Sequence, residues 1–217
     1  MSKIRLIFAL ILVLTAPVYA VTPAEALQNL KDGNKRFTSG QQTCTTNLLQ
    51  QLEESKEKQK PYAAILCCSD SRVPPELIFD ESLGKLFIIR VAGNVATDVT
   101  IGSIEYAVAV LKVPLVVVLG HEACGVLEAA LQGAKDLPPF IRDLVKEASL
   151  SAAEVKKDAK NIDNLVHRAV IKNIEFQMQE LSEKSNVLSK AIKNKQILFH
   201  GAVFHFQDGS VEWCPCK

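Results

Sequence analysis

The sequence predicts an α/β fold: a mostly parallel central β-sheet flanked by helices, with a C-terminal edge hairpin. Three observations carry this. Short runs of β-branched and aliphatic residues at 62–68 (YAAILCC), 86–91 (LFIIRV) and 115–119 (LVVVL) have the unbroken apolarity of strands covered on both faces. Stretches with helical spacing separate them, which is the alternation of a parallel sheet. Near the end, Asp208-Gly209 lies between two strand-like segments, a strong hairpin turn signal.

The first twenty residues stand apart from this pattern. Lys3 and Arg5 precede an uninterrupted apolar run from Leu6 to Leu14, and Val18 and Ala20 occupy the −3 and −1 positions of a cleavage site. This is the layout of a cleavable secretory signal peptide, with a run too short to span a bilayer as a helix. Its removal leaves 21–217 as a single domain, exported, periplasmic in a bacterium, and without a stable membrane anchor.

The mature chain then reads in order. Pro23 to Phe37 carries apolar residues at 26, 27, 30 and 37, a short amphipathic helix ending near Gly33. A polar connection over 38–60 follows, and its KEKQK run (56–60) reads as a solvated segment. After the first strand, Pro74, Pro75 and Glu76 open a short helix to about Glu81, because proline suits a first turn. After the second strand, Thr100 caps a helix whose positions 101, 104, 108 and 111 share one face. The third strand leads into a helix opening at His121. Residues 138–195 are mostly helical, with Val166, Val170, Ile174, Met178 and Leu181 on one stripe. Ile197 to Phe206 is a strand, and Ser210 to Trp213 its return.

Composition excludes some functions. Of 217 residues, 48% are hydrophobic, enough for a sizeable core; 25 basic and 24 acidic residues are well mixed. No concentrated basic face exists to neutralise phosphates, so nucleic acid is not an expected partner. The six cysteines (44, 67, 68, 124, 214, 216) are too sparse for a disulfide-stapled scaffold.

The chemistry gathers where strands end and helices begin, the place where open α/β sheets bind ligands. One strand ends at Cys68 and runs into Ser69-Asp70-Ser71-Arg72; another ends at Leu119 and runs into Gly120-His121-Glu122-Ala123-Cys124. His121 and Cys124, three apart at a helix start, fall on one face. With Cys68 they make a Cys₂His set, which suits zinc and leaves a fourth position for water. By itself this leaves alternatives: Cys68 and Cys124 as a disulfide, or as two buried thiols acting as small hydrophobes. Cys67, adjacent in a strand, points to the opposite face and reads as a buried thiol.

The stretches CCSDSRVPPELIFD and GHEACG resemble the β-class carbonic anhydrases, with Cys-x-Asp-x-Arg and His-x-x-Cys set 53 positions apart from Cys68 to His121. LKDGNKRF, LFIIRVAGN, GSIEYAV and GAVFHFQDGSVEW extend the resemblance over nearly the whole mature chain. It implies the β-carbonic anhydrase fold and one Zn²⁺ per subunit on Cys68, His121 and Cys124. It implies an Asp70–Arg72 dyad, a substrate-binding Gln59, pocket aromatics Phe87 and Tyr106, and Gly125 after the last ligand. The implied activity is reversible hydration of CO₂ to bicarbonate and a proton by a zinc-bound hydroxide, in a homodimer or homotetramer whose pockets form at subunit interfaces, so that Gln59 serves the neighbouring site. It also implies a second state in which Asp70 itself takes the fourth zinc position. The tryptophan that builds a regulatory bicarbonate pocket in some members is replaced by Ile65, so no such pocket is expected. Two rival functions are weighed against this one: hydrolysis of carbon disulfide or carbonyl sulfide on the same fold, and a non-catalytic zinc-binding or thiol-redox role. His167, His200 and His205 are expected to be structural or surface groups rather than proton relays. A bridge from Cys44 to Cys214 or Cys216 is one hypothesis for the remaining cysteines, whose connectivity the sequence leaves open.

Overall fold

Five strands form one sheet in the order β2-β1-β3-β4-β5 in the computed structural model, which describes residues 21–133, 136–157 and 164–214. The segment 1–20 and Cys216 lie outside the described residues. β1 (Ala63–Cys67) runs parallel to both β2 (Leu86–Arg90) and β3 (Leu115–His121), and β3 runs parallel to β4 (Leu198–Phe204). β5 (Val211–Trp213) returns antiparallel along β4 as the edge. The predicted mixed sheet and terminal hairpin are therefore present.

Helices cover both faces, which explains the lack of polar alternation in the strands. α1 (Pro23–Thr38) and α3 (Pro75–Ile78) bury Ala26, Leu30 and Ile78 against Ala63, Ile65, Leu115, Val117 and Leu119. On the other face, Ala64, Leu66, Val116 and Val118 pack under α4 (Asp98–Ala109), α5 (Gly125–Gln132), α6 (Pro139–Lys157), α7 (Leu165–Lys184) and α8 (Asn186–Lys193). Among the described residues, no helix is long and apolar enough to cross a membrane.

Several boundaries differ from expectation, each for a local reason. α1 passes through Gly33, because that glycine serves packing rather than termination: a Cβ there would sit 1.8 Å from the Phe79 carbonyl oxygen. The start of α1 is fixed by a capping box, Thr22 Oγ1 accepting the Glu25 N–H while Glu25 accepts the Thr22 N–H. The polar connection contains a further helix, α2 (Leu48–Ser55), whose Leu48, Leu49 and Leu52 are all exposed. α4 begins earlier than expected, with Thr97 at the N-cap; Thr100 sits one turn inside, its hydroxyl accepting the Thr97 N–H at 2.8 Å. α3 stops at Ile78, and the region expected as mostly helical divides into α6, α7 and α8. Among the described residues Cys44 forms no disulfide. Its thiol is free and buried, and its backbone N–H is tied to Asp80 at 2.7 Å.

The topology positions the site. The chain leaves β1 toward β2 on one side and leaves β3 toward β4 on the other, so β1 and β3 are neighbours whose connections diverge. Such a switch point opens a crevice at the carboxyl ends of the two strands. Cys68 follows β1 there, and His121 ends β3.

Candidate metal centre and active site

Cys68, His121 and Cys124 converge at this crevice, with one ligand atom from each lying within 4.8 Å of the others. They are 5%, 1% and 2% exposed. The route differs from the expected helix start. His121 is the last residue of β3, and Cys124 is the N-cap of α5, with Ala123 between them in the left-handed region at φ 48°. A sharp turn, rather than helical spacing, brings the two side chains together.

The donor chemistry fits a cation. His121 Nδ1 donates to the Glu122 carbonyl at 2.7 Å, which leaves Nε2 as the ring nitrogen available to the cluster. That Nε2 is buried and has no hydrogen-bond partner. A buried polar nitrogen without a partner is costly unless something occupies the space it faces. The sulfurs are prepared as well. A hydrogen bond from the Cys124 thiol, opposed by burial and joined by His121 and the Gly93 N–H, holds Cys68 well below the usual thiol range; the same bond pushes Cys124 up. The Val126 and Leu127 amides at the start of α5 work in the opposite sense, toward a Cys124 thiolate. A metal ion would displace the shared proton, as thiolate ligation requires.

Gly93 was not singled out from the sequence, although RVAGN carried it. Its N–H donates to Cys68 Sγ at 3.3 Å from a backbone at φ +72°, and a Cβ there would come within 2.8 Å of Val126. Only glycine adopts this conformation cheaply and approaches so closely. Asn173 donates to the Gly93 carbonyl at 3.0 Å, and Gln177 accepts the Ala96 N–H at 2.7 Å, so α7 braces the loop from behind.

Asp70 and Arg72 pair as expected. Arg72 Nε reaches Oδ1 at 3.0 Å and Nη2 reaches Oδ2 at 2.8 Å, a two-bond contact, while the Arg72 backbone N–H adds a third bond at 2.9 Å. The guanidinium, against mild burial, holds Asp70 down to about 2, and His121 is close enough to add to that electrostatically. Arg90, a residue sequence reasoning missed, donates to the carbonyls of Cys68 and Asp70 at 3.2 and 2.6 Å and so holds the turn between the two.

The other expected pocket residues lie elsewhere in the chain's own fold. Phe87 is in register with Ala64 near the amino end of β1, and Tyr106 packs on it at 6.0 Å between ring centroids. Gln59 is exposed and lines a cavity of about 470 Å³ with Tyr62, Lys85, Val110 and Pro114, before β1 and β3 begin. The length of β1 separates this end from Cys68, about 16 Å for five residues. Gly125 is beside the cluster, with open space where a side chain would be.

Comparison with known proteins agrees with this geometry. The family model described as carbonic anhydrase matches residues 63–211. The chain belongs to the carbonic anhydrase family. It is 37% identical over 191 residues to carbonic anhydrase 2 of Mycobacterium tuberculosis, covering 86% of this chain and 90% of that one. It is 35% identical over 194 residues to the carbonic anhydrase of Mycolicibacterium smegmatis, covering 88% and 92%. Among solved structures it is similar to the β-carbonic anhydrase CcaA, with a TM-score of 0.68 and 27% identity over 86% of this chain and 94% of that one. The β-carbonic anhydrase CafA of Aspergillus fumigatus gives 0.71 and 26%, over 86% and 89%. The family is the β class, and the mostly parallel sheet flanked by helices is its fold.

Proposed function

We propose that this carbonic anhydrase holds one Zn²⁺ per subunit on Cys68, His121 and Cys124 and hydrates CO₂ reversibly to bicarbonate and a proton. The unpartnered Nε2 of His121, buried between two cysteine sulfurs, is the observation that carries the reading. Two thiolates and an imidazole with a fourth position open are a catalytic zinc set, and zinc so held acidifies water enough to supply a nucleophile near neutral pH.

The chain's own residues do the rest. Arg72 keeps Asp70 ionised at working pH and fixes the plane of its carboxylate. Oδ1 already accepts both the Arg72 backbone N–H and Nε, whereas Oδ2 accepts only Nη2 and retains a lone pair, so Asp70 accepts a hydrogen bond from the attacking water through Oδ2 and orients it. Carbon dioxide offers almost nothing to bind, so its slot needs apolar walls. Phe87 and Tyr106 supply such walls and Gln59 a polar group for substrate or product oxygens. One chain places these three at the far end of its sheet, which supports their serving a neighbouring subunit's zinc. Val99 and Tyr106 of α4 and Val110 just past its end are exposed, as are Leu48, Leu49 and Leu52 of α2, apolar surface of the kind a second copy covers. One related structure, at 24% identity, is described as tetrameric. For this chain the proposal is a homo-oligomer, at least a dimer. The segment 1–20 directs export, to the periplasm in a bacterium.

Stopped-flow CO₂ hydration by the mature protein, with zinc measured on the same sample, tests the reading. A protein that retains no zinc, or retains it without hydration at alkaline pH, would refute it.

A further inference from the structure

The parallel register that pairs His121 with Phe204 carries the chain on so that Phe206 lands beside the loop holding Cys124. Its ring meets two parts of the site at once. The His121 imidazole is 5.5 Å away between centroids, tilted by 50°, and the Arg72 guanidinium carbon stands 4.0 Å above the ring centre. Arg72 needs such a contact. Its side chain is 55% exposed, and an exposed ion pair spends much of its Coulomb energy on ordering a long side chain. An aromatic face at this distance attracts the cation and shields one side of it from water.

The ring is itself held. Glu122 Oε2 accepts the Phe206 N–H at 2.9 Å. Glu122 Oε1 is 2.7 Å from His205 Nδ1, and His205 Nε2 is 3.1 Å from Glu212 Oε2. The Glu122 backbone carbonyl meanwhile accepts the His121 Nδ1 proton. One residue thus ties the imidazole through its main chain and Phe206 through its carboxylate.

We propose that Phe206 is a positioning residue for CO₂ hydration, holding the Arg72 guanidinium in its two-bond contact with Asp70, and that the Glu122 carboxylate, clamped by His205, holds Phe206 in place. The proposal rests on the reading of Asp70 and Arg72 as the working dyad. Phe206 touches no reacting atom and acts through Arg72. Without the ring, Arg72 exchanges its carboxylate contact for water more often, and Asp70 is oriented for a smaller fraction of the time. The Cys68, His121 and Cys124 anchors described above remain.

The test uses the full zinc-loaded chain carrying Phe206→Leu, Phe206→Met or Phe206→Tyr. Two quantities are read: kcat/KM per bound zinc, and the hydrogen-exchange rate of the Arg72 Nε–H by NMR. For Leu and Met, kcat/KM falls about tenfold and Nε–H exchange accelerates about tenfold, with zinc content unchanged. Tyr, which keeps the π face, retains wild-type values of both. Wild-type exchange and kcat/KM in the Leu and Met variants would overturn the proposal, as would a Tyr variant as impaired as Leu. Met, close to Phe in bulk, decides the matter if Leu does not fold. A wild-type chain that hydrates no CO₂ would refute the functional reading instead, and the Arg72 exchange rates would still decide the positioning role.

Discussion

Cys67 and Cys68 differ in which side of the sheet they face. Cys67 packs with Ala63, Ile65 and Val117 in the α1–α3 layer, where burial pushes its thiol up to about 12. Cys68 packs on the opposite layer and joins His121 and Cys124. Replacing Cys68 by Ala should therefore empty the site, whereas Cys67→Ala should leave metal content intact and cost about 1 kcal/mol as a small cavity; metal analysis and thermal unfolding distinguish them. Asp70→Asn keeps the shape but not the charge, so zinc should stay while kcat/KM drops about 10²-fold, within the range for a positioned acid–base group. Loss of zinc in that variant would make Asp70 a structural residue. Another carboxylate matters for stability alone. Asp80 is buried, which works against its charge, yet Arg36 and the N–H groups of Cys44 and Thr43 hold it down to about 2. With a folded pKa below the unfolded one, its contribution is complete above about pH 4 and is lost as pH falls toward 2. Asp80→Asn should flatten that part of the acid-unfolding curve.

At the scale of elements, close backbone approaches matter more than helix propensity. α1 crosses the Phe79 carbonyl at Gly33, with no room for a methyl group. Gly33→Ala would raise helix propensity in isolation, yet it should destabilise the protein by about 2–3 kcal/mol because α1 must lift from α3. Urea unfolding measures this, and an unchanged midpoint would mean that α1 docks loosely. The hairpin between β4 and β5 is likewise more than an edge. Its connection carries His205 and Phe206 to Glu122, so the last strands of the sheet support the first turn of the active site.

For the whole molecule, the decisive feature is the separation of Cys68, His121 and Cys124 at one end of the sheet from Gln59, Phe87 and Tyr106 at the other. If each half serves a neighbouring copy, two inactive variants should complement one another. Cys68→Ala lacks the zinc site but keeps Gln59; Gln59→Ala has the reverse defect. Co-expressed at equal levels, half of the dimers are hybrids with one of two sites intact, so roughly a quarter of wild-type activity should return. No recovery, or an active monomer by light scattering, would place the whole pocket within one chain.

The alternation of buried strands and helices, the gathering of Cys68, His121 and Cys124 and the Asp70–Arg72 pair were all legible in the linear sequence. They depend on local patterns: unbroken apolarity for a doubly covered strand, and short motifs at strand ends. Other features were not local. Nothing in HEACG says that a strand end and a cap, rather than a helix face, unite His121 with Cys124. Gly33 looked like a stop because its partner, the Phe79 carbonyl, is far away in the chain. Arg90, Gly93, Glu122 and Phe206 join the site only through the register of β1, β2, β3 and β4, and hydrogen bonds across strands leave no trace in residue spacing. The sequence by itself determined the chemistry available at the carboxyl edge of the sheet. The tertiary structure alone decided how those groups are held, because that depends on contacts between segments far apart in the chain.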